Sequence, residues 1–107
     1  MLKRIITMRY EKQLPVISYS DFVERAGSVT GYTSSSGKRY KVMDFDGEIM
    51  CIRRLDAKTD LNWEIPLWKV YEAYVDLDDF STESFKPYTP RRQSPSRGLL
   101  LHLQLIN

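Results

Sequence analysis

The feature that most constrains the fold is the pair Asp46-Gly47, which lies between two runs of strand-forming residues, 40–45 and 48–53. An Asp-Gly pair between such runs is typical of a tight hairpin turn of type I′, in which both central residues adopt positive φ. The sequence therefore predicts an antiparallel β-hairpin over about residues 39–54.

Periodicity and capping residues predict the elements around this hairpin. Alternation of apolar and polar residues predicts strands over 2–10 and 61–65. Apolar residues at i, i+3, i+4 and i+7 predict an amphipathic helix over about 67–77. A shorter helix is expected between a capping hydroxyl at Ser18 and a glycine stop at Gly27.

Two segments are less regular. The stretch 27–38 is rich in glycine and serine, so we expect a mobile loop or a loose turn there. Residues 99–106 fit either a buried helix or a strand, and the preceding Ser94-Pro95 favours a helix that starts with Ser94 as N-cap. Gly98 is then the weak point, because glycine costs about 1 kcal/mol against alanine in a helix.

The length and the order of these elements limit the architecture. A chain of 107 residues can bury one modest core, and neither an internal repeat nor a change of composition divides it, so we expect a single domain, 1–107. A few strands joined by tight turns and accompanied by helices predict an α+β fold. The expected architecture is a small antiparallel sheet packed by two or three helices.

Charge is unevenly distributed along the chain. Residues 1–54 carry a net charge of +4, residues 55–83 carry −6, and residues 84–107 carry +4, for a total of +2. Two interpretations remain open. The segments can neutralise one another in the folded state, or the basic ones can form one surface that binds a polyanion.

Nucleic-acid binding is the first function that this pattern suggests. The two ends of an antiparallel hairpin lie about 5 Å apart, so the cations at its open end would converge. Tyrosines nearby would add stacking surfaces for bases. The candidate phosphate-binding residues, with those that precede the last helix, are Lys38, Arg39, Lys41, Arg53, Arg54, Arg91, Arg92 and Arg97.

Contact with another protein, or with a second copy of the chain, is the alternative that we favour. Seven Tyr and two Trp exceed what a core of this size needs, and Tyr, Trp and Arg are the residues that anchor protein interfaces. The candidate interface residues are Trp63, Trp68, Tyr32, Tyr40 and Tyr88.

The chain is poor in the residues that catalysis or metal binding would need. Cys51 and His102 are the sole cysteine and histidine, fewer than the four ligands of a structural zinc site. A phosphate-binding loop is excluded because Arg39 follows Lys38 where that motif needs serine or threonine. We predict no cofactor, no metal and no catalytic residue. A metal-dependent nuclease remains a remote alternative, built on the carboxylates Asp44, Asp46, Glu48, Asp76, Asp78 and Asp79.

The cysteine content indicates the cellular compartment. A single cysteine allows no internal disulfide, which fits a reducing compartment, so we expect a cytoplasmic protein. The segment 1–6 lacks the apolar stretch of a signal peptide, and no apolar run reaches the length of a membrane span, so no membrane partner is expected. The sequence thus favours a small non-catalytic binding protein.

Overall fold

A computed structural model describes residues 10–58 and 61–107, and the strands within them form one four-stranded antiparallel sheet. Neighbouring strands follow one another along the chain, in the order β1-β2-β3-β4. The predicted α+β class and the central hairpin at about 39–54 are confirmed. The strands are β1 (Gly31–Thr33), β2 (Arg39–Phe45), β3 (Ile49–Arg54) and β4 (Asn62–Pro66).

Helices make up about a third of the described residues. The predicted helix beginning at Leu67 is confirmed, and so is the helical form of the segment that contains Leu99. Ser18 caps the first helix as predicted, because its hydroxyl accepts a hydrogen bond from the Asp21 N–H at 3.1 Å. The helices are α1 (Tyr19–Ala26), α2 (Leu67–Asp76), α3 (Gln93–His102) and a short 3-10 helix (Glu83–Phe85).

One hydrophobic core lies between the sheet and the helices. Alternate residues of the strands enter it, and each helix contributes apolar side chains from one face. Its largest fully buried side chains are Tyr74, Phe22, Phe80, Phe85, Met50, Ile52, Ile65, Leu67, Leu99, Leu100, Ile106 and Val70. The opposite side of the sheet carries the residues between these positions.

The turn of the hairpin differs from the predicted type I′. Gly47 has a φ of 95°, but Asp46 does not adopt positive φ. Val42 and Phe45 both pack against the core although they are three positions apart, because a β-bulge between Val42 and Asp44 interrupts the alternation of β2. The bulge leaves a three-residue loop. Asp46 closes this loop, accepting the N–H groups of Glu48 and Ile49 at 2.8 and 2.7 Å.

The stretch 27–38, predicted to be a mobile loop or a loose turn, contains β1 and a turn closed by hydrogen bonds. The ring of Tyr32 is buried, and its hydroxyl donates to the carbonyl of Pro95 at 2.8 Å. Ser34 closes the turn, because its N–H donates to the Lys38 carbonyl and its hydroxyl accepts from the Lys38 N–H. Burial of one aromatic residue therefore outweighs the glycine and serine content of this segment.

The start of α3 lies two residues earlier than predicted. The helix begins at Gln93 after Arg92, and Pro95 occupies the third helical position, where a proline still displaces no helical hydrogen bond. Gly98 is buried against β1. A Cβ atom built on it would lie 3.2 Å from the Tyr32 ring and 3.3 Å from the Ser34 Cα. The glycine thus permits the close approach of α3 to β1.

The strand predicted over 2–10 lies, up to residue 9, outside the described residues. At the start of the described part, Lys12 forms a β-bridge with Ile106. No helix within the described residues is both long and apolar enough to cross a bilayer.

Burial of tyrosines in the core predicts a loss of stability at alkaline pH. Burial raises the pKa of Tyr32, and also that of Tyr40. Above about pH 10 the unfolded chain releases a proton that the folded chain keeps, so the free energy of unfolding falls by up to about 1.4 kcal/mol per pH unit for each such tyrosine. Urea unfolding of wild type and Tyr32→Phe across this range measures the effect. A fall of equal steepness in both proteins would contradict it.

Candidate functional site

One apolar surface of the described residues is a groove between α1 and the outer side of α2, which we call the aromatic groove. Its volume is about 350 Å³. Three of its apolar side chains are unusually exposed: Trp68 at 49%, Val75 at 40% and Tyr19 at 36%. It is lined by Tyr19, Trp68, Tyr71, Glu72, Val75 and Asp76.

The aromatic groove exists because α2 is apolar on two of its sides. One side, which includes Val70 and Tyr74, is buried in the core. Trp68, Tyr71 and Val75 follow at i, i+3 and i+7 on an adjacent side, where Trp68 and Val75 are exposed and Tyr71 packs partly against the core. A helix that serves its core alone needs one apolar stripe, so the second stripe is available for another contact.

The aromatic rings of the groove are held in place by the residues beneath them. The Tyr71 hydroxyl donates to the Ile17 carbonyl at 2.9 Å. The Tyr19 ring meets the Tyr71 ring edge to face, with 5.2 Å between centroids. The fully buried Phe22 packs under both rings, at 6.4 and 5.7 Å. The groove is therefore preorganised, which reduces the entropy lost when a ligand binds.

The polar lining of the groove is acidic. The Lys69 ammonium lies 3.3 Å from a Glu72 carboxylate oxygen and 4.4 Å from the centre of the Trp68 ring. Asp76 accepts a hydrogen bond from the Tyr88 hydroxyl at 3.3 Å and has no ion-pair partner within the described residues. Partial burial, and then the charge of Asp76, raise the pKa of Tyr88.

The predicted phosphate-binding residues do not form one surface. Arg39, Lys41 and Arg53 lie on the side of the sheet that faces away from the core. Lys41 and Arg53 are cross-strand partners, and the Arg53 Nε donates to the Asn62 side chain at 2.9 Å. Three of the predicted cations therefore share one face at the open end of the hairpin.

Arg54 and Arg92 are directed elsewhere. Arg54 pairs with Asp56 at 2.9 Å, and this contact lowers the pKa of the Asp56 carboxyl. The Arg92 guanidinium lies over the Trp63 ring at 5.4 Å. Arg91 is exposed in a turn and has a φ of 66°.

Lys38 and Arg97 line a polar cleft of about 400 Å³ near the start of α3. Arg97 is already engaged there, because its guanidinium donates to the Ser35 hydroxyl at 2.7 Å and lies over the Tyr10 ring at 5.2 Å. The predicted cations are thus divided between the sheet, the polar cleft and contacts within the fold.

The predicted interface aromatics divide in a similar way. Tyr32 and Tyr40 are 5% and 2% exposed, so the structure places them in the core instead of on the surface. Trp63 and Tyr88 are half-buried at the edge of the core. Trp68 alone among these five is strongly exposed. Stacking of bases on Tyr32 or Tyr40 is therefore ruled out in the folded protein.

Sequence reasoning missed most of the aromatic groove. Tyr71, which was expected to face the core, packs against the core and also lines the groove, and Tyr19 and Val75 were not singled out. The available signal was the i, i+3, i+7 spacing of Trp68, Tyr71 and Val75, offset by one residue from the stripe that starts at Leu67. Tyr19 carries no such signal, because only tertiary packing brings α1 beside α2.

Side chains that could bind a metal or act as nucleophiles are dispersed in the described part of the chain. Residues 10–58 and 61–107 contain no group of three or more His, Cys, Asp or Glu side chains placed to hold a metal ion. Cys51 lies in the middle of β3, and His102 packs beside the Tyr32 ring at the end of α3. What the groove offers chemically is contact: apolar surface, ring faces and carboxylates.

Comparisons with protein-family models, with curated proteins and with solved structures each return no match to this chain. Its function is therefore argued from the residues of the site themselves.

Proposed function

We propose that this chain is a non-catalytic binding protein that docks another protein in its aromatic groove. The observation that carries the proposal is the exposure of Trp68, at 49%, beside exposed Val75 and Tyr19 in one continuous depression. Tryptophan and tyrosine dominate the binding energy of protein interfaces, because they bury a large area and lose little rotamer entropy.

The groove is suited to an apolar peptide segment that carries a basic side chain. Its lining includes the carboxylates of Glu72 and Asp76 and no Lys or Arg. Lys69 neutralises Glu72, which leaves Asp76 to pair with a cation of the partner. A cation placed there would also lie near the ring faces of the groove, which attract positive charge.

Nucleic-acid binding remains the second candidate, and the shared face of Arg39, Lys41 and Arg53 favours it. Phosphate contacts by these cations would make the affinity fall steeply with salt. Weighing against it, Asp44 and Glu64 lie on the same face of the sheet, one on each side of Cys51. A polyanion crossing this face would be repelled by both carboxylates.

Replacing Trp68 by alanine should abolish most of the groove's affinity for a basic apolar peptide. A short Leu/Lys peptide is the probe, titrated calorimetrically into the full chain. Because loss of a central tryptophan costs about 2 kcal/mol or more, Trp68→Ala should weaken binding by about thirtyfold. Asp76→Asn should weaken binding of the Leu/Lys peptide and leave the affinity for a Leu/Ser peptide unchanged.

The matched control is Leu61→Ala, which removes an apolar side chain that is 60% exposed and does not line the groove. Its affinity should equal that of wild type. A Leu/Glu peptide should bind more weakly than the Leu/Lys peptide. Equal affinities of wild type and Trp68→Ala for the Leu/Lys peptide would contradict the proposal. Equal affinities of wild type for the Leu/Lys and Leu/Glu peptides would also contradict it, and so would a wild type that binds neither of these peptides.

A further inference from the structure

The side of the sheet that faces away from the core is charged in two blocks. We call this side the open face; no helix or strand of the described residues covers it. Towards the open end of the hairpin it carries Arg39, Lys41 and Arg53. Towards the turn it carries Asp44 and Glu64, the cross-strand neighbours of Cys51.

Like charges are thus placed side by side within one copy of the chain. Lys41 lies opposite Arg53, an arrangement that destabilises a sheet. Asp44 and Glu64 flank Cys51 in the next row, about 7 Å further along the strands. Among the described residues the ion pairs are Arg54–Asp56 and Lys69–Glu72, and neither involves these side chains. The charges of the open face therefore have no compensation inside the described fold.

We infer that the open face binds the open face of a second copy, with the two sheets related by a two-fold axis. The axis lies between the sheets, perpendicular to the strands and midway between the cationic and acidic rows. This rotation places Lys41 of each copy over Asp44 of the other, and it places Arg53 beside the acidic row. A closed two-fold contact is self-complementary, as the two-block charge pattern requires.

The apolar residues of the face and the usual spacing of packed sheets support the same arrangement. Met43 is 39% exposed and Cys51 is half-buried near the middle of the face, and the half-buried Ile49 lies at its turn end, so the face is partly apolar. Packed sheets lie about 10 Å apart, a separation that a lysine and an aspartate on facing sheets can bridge. A polyanion would meet the acidic row instead of a matching charge, which is why we choose a second copy as the occupant.

The size of the face sets the strength of this dimer. The three strands of five to seven residues that form it, at ordinary sheet spacing, give a face of about 20 Å by 15 Å, so two copies would bury about 600 Å² in total. Standard interfaces bury about 1,600 Å². The dimer is therefore reversible, with dissociation in the micromolar range or weaker. It uses a different surface from the aromatic groove and does not depend on the proposed function.

Charge reversal tests this inference with the full chain. Sedimentation equilibrium from micromolar to near-millimolar concentration should show wild type passing from monomer to dimer. Lys41→Glu and Asp44→Lys should each lower the association constant by about a hundredfold, because the two-fold axis repeats every reversed contact. An equimolar mixture of the two variants should form a heterodimer, and the double variant K41E/D44K should again form a homodimer.

Weaker dimerisation of Lys41→Glu would not result from unfolding, because this substitution places a carboxylate opposite Arg53 and removes a repulsion within the chain. Lys86→Glu is the matched control, since it makes the same charge change at an exposed residue outside the sheet and should dimerise as wild type does. A wild type that stays monomeric throughout, or variants that dimerise unchanged, would overturn the inference. Binding of a single-stranded oligonucleotide to a monomeric wild type, lost in Lys41→Glu, would overturn it in favour of a polyanion site.

Discussion

Replacing Phe22 by alanine is expected to lower the free energy of unfolding by about 3–5 kcal/mol, the range for truncating a buried phenylalanine. Phe22 is fully buried, and its ring packs against Tyr19 and Tyr71. The cavity would lie directly beneath the aromatic groove, because these two rings line it. A variant that still folds should therefore also bind the Leu/Lys peptide more weakly than wild type does.

Two further variants separate cavity formation from a general effect on α1. Phe22→Leu keeps most of the buried volume and should cost clearly less than Phe22→Ala. Glu24→Ala changes an exposed residue of the same helix and should shift the free energy of unfolding by less than about 0.5 kcal/mol. Urea unfolding measures all three. If Phe22→Ala lost no more stability than Glu24→Ala, the packing of α1 described above would be wrong.

Replacing Gly98 by leucine is expected to cost about 3 kcal/mol of stability. Leucine is one of the best helix formers, so helix propensity alone predicts a gain of about 0.8 kcal/mol over glycine. Packing predicts the opposite, because the added side chain would enter the contact between α3 and β1, where Ser34 backbone atoms lie 3.3 Å from the new Cβ. The sign of the change decides which effect governs this position.

Gly98→Ala serves as the intermediate case. Its single methyl group gains helix propensity but requires Tyr32 and Ser34 to move away by a few tenths of an ångström, so its stability should lie between those of wild type and Gly98→Leu. Thermal unfolding of the three proteins gives the order. An increase in stability from Gly to Ala to Leu would show that α3 does not approach β1 closely.

Local sequence signals predicted the elements in which neighbouring residues favour the same secondary structure. The Asp46-Gly47 pair located the hairpin, and the spacing of apolar residues located α2, because both signals are repeated by their neighbours. The turn type was predicted incorrectly, since the bulge in β2 arises because both Val42 and Phe45 must reach the core. That requirement comes from the packing of the whole sheet.

The predictions that failed in 27–38 have the same origin. Glycine and serine there are typical of a loop, but Tyr32 has a buried site to fill and a carbonyl, that of Pro95, to receive its hydroxyl. The partner residue is sixty-three positions away in the chain. No window of local sequence contains that information.

For the candidate sites, the sequence determined which residue types are present, and the fold determined which of them lie together on one surface. Composition indicated an excess of tyrosine and tryptophan, and counting charges indicated segregated blocks; both follow from the sequence because they require no positions in space. Which aromatics are exposed, and which cations share a face with Asp44 and Glu64, depends on strand register and helix packing. Register reverses a side chain with every one-residue shift, so only the tertiary structure decides these surfaces.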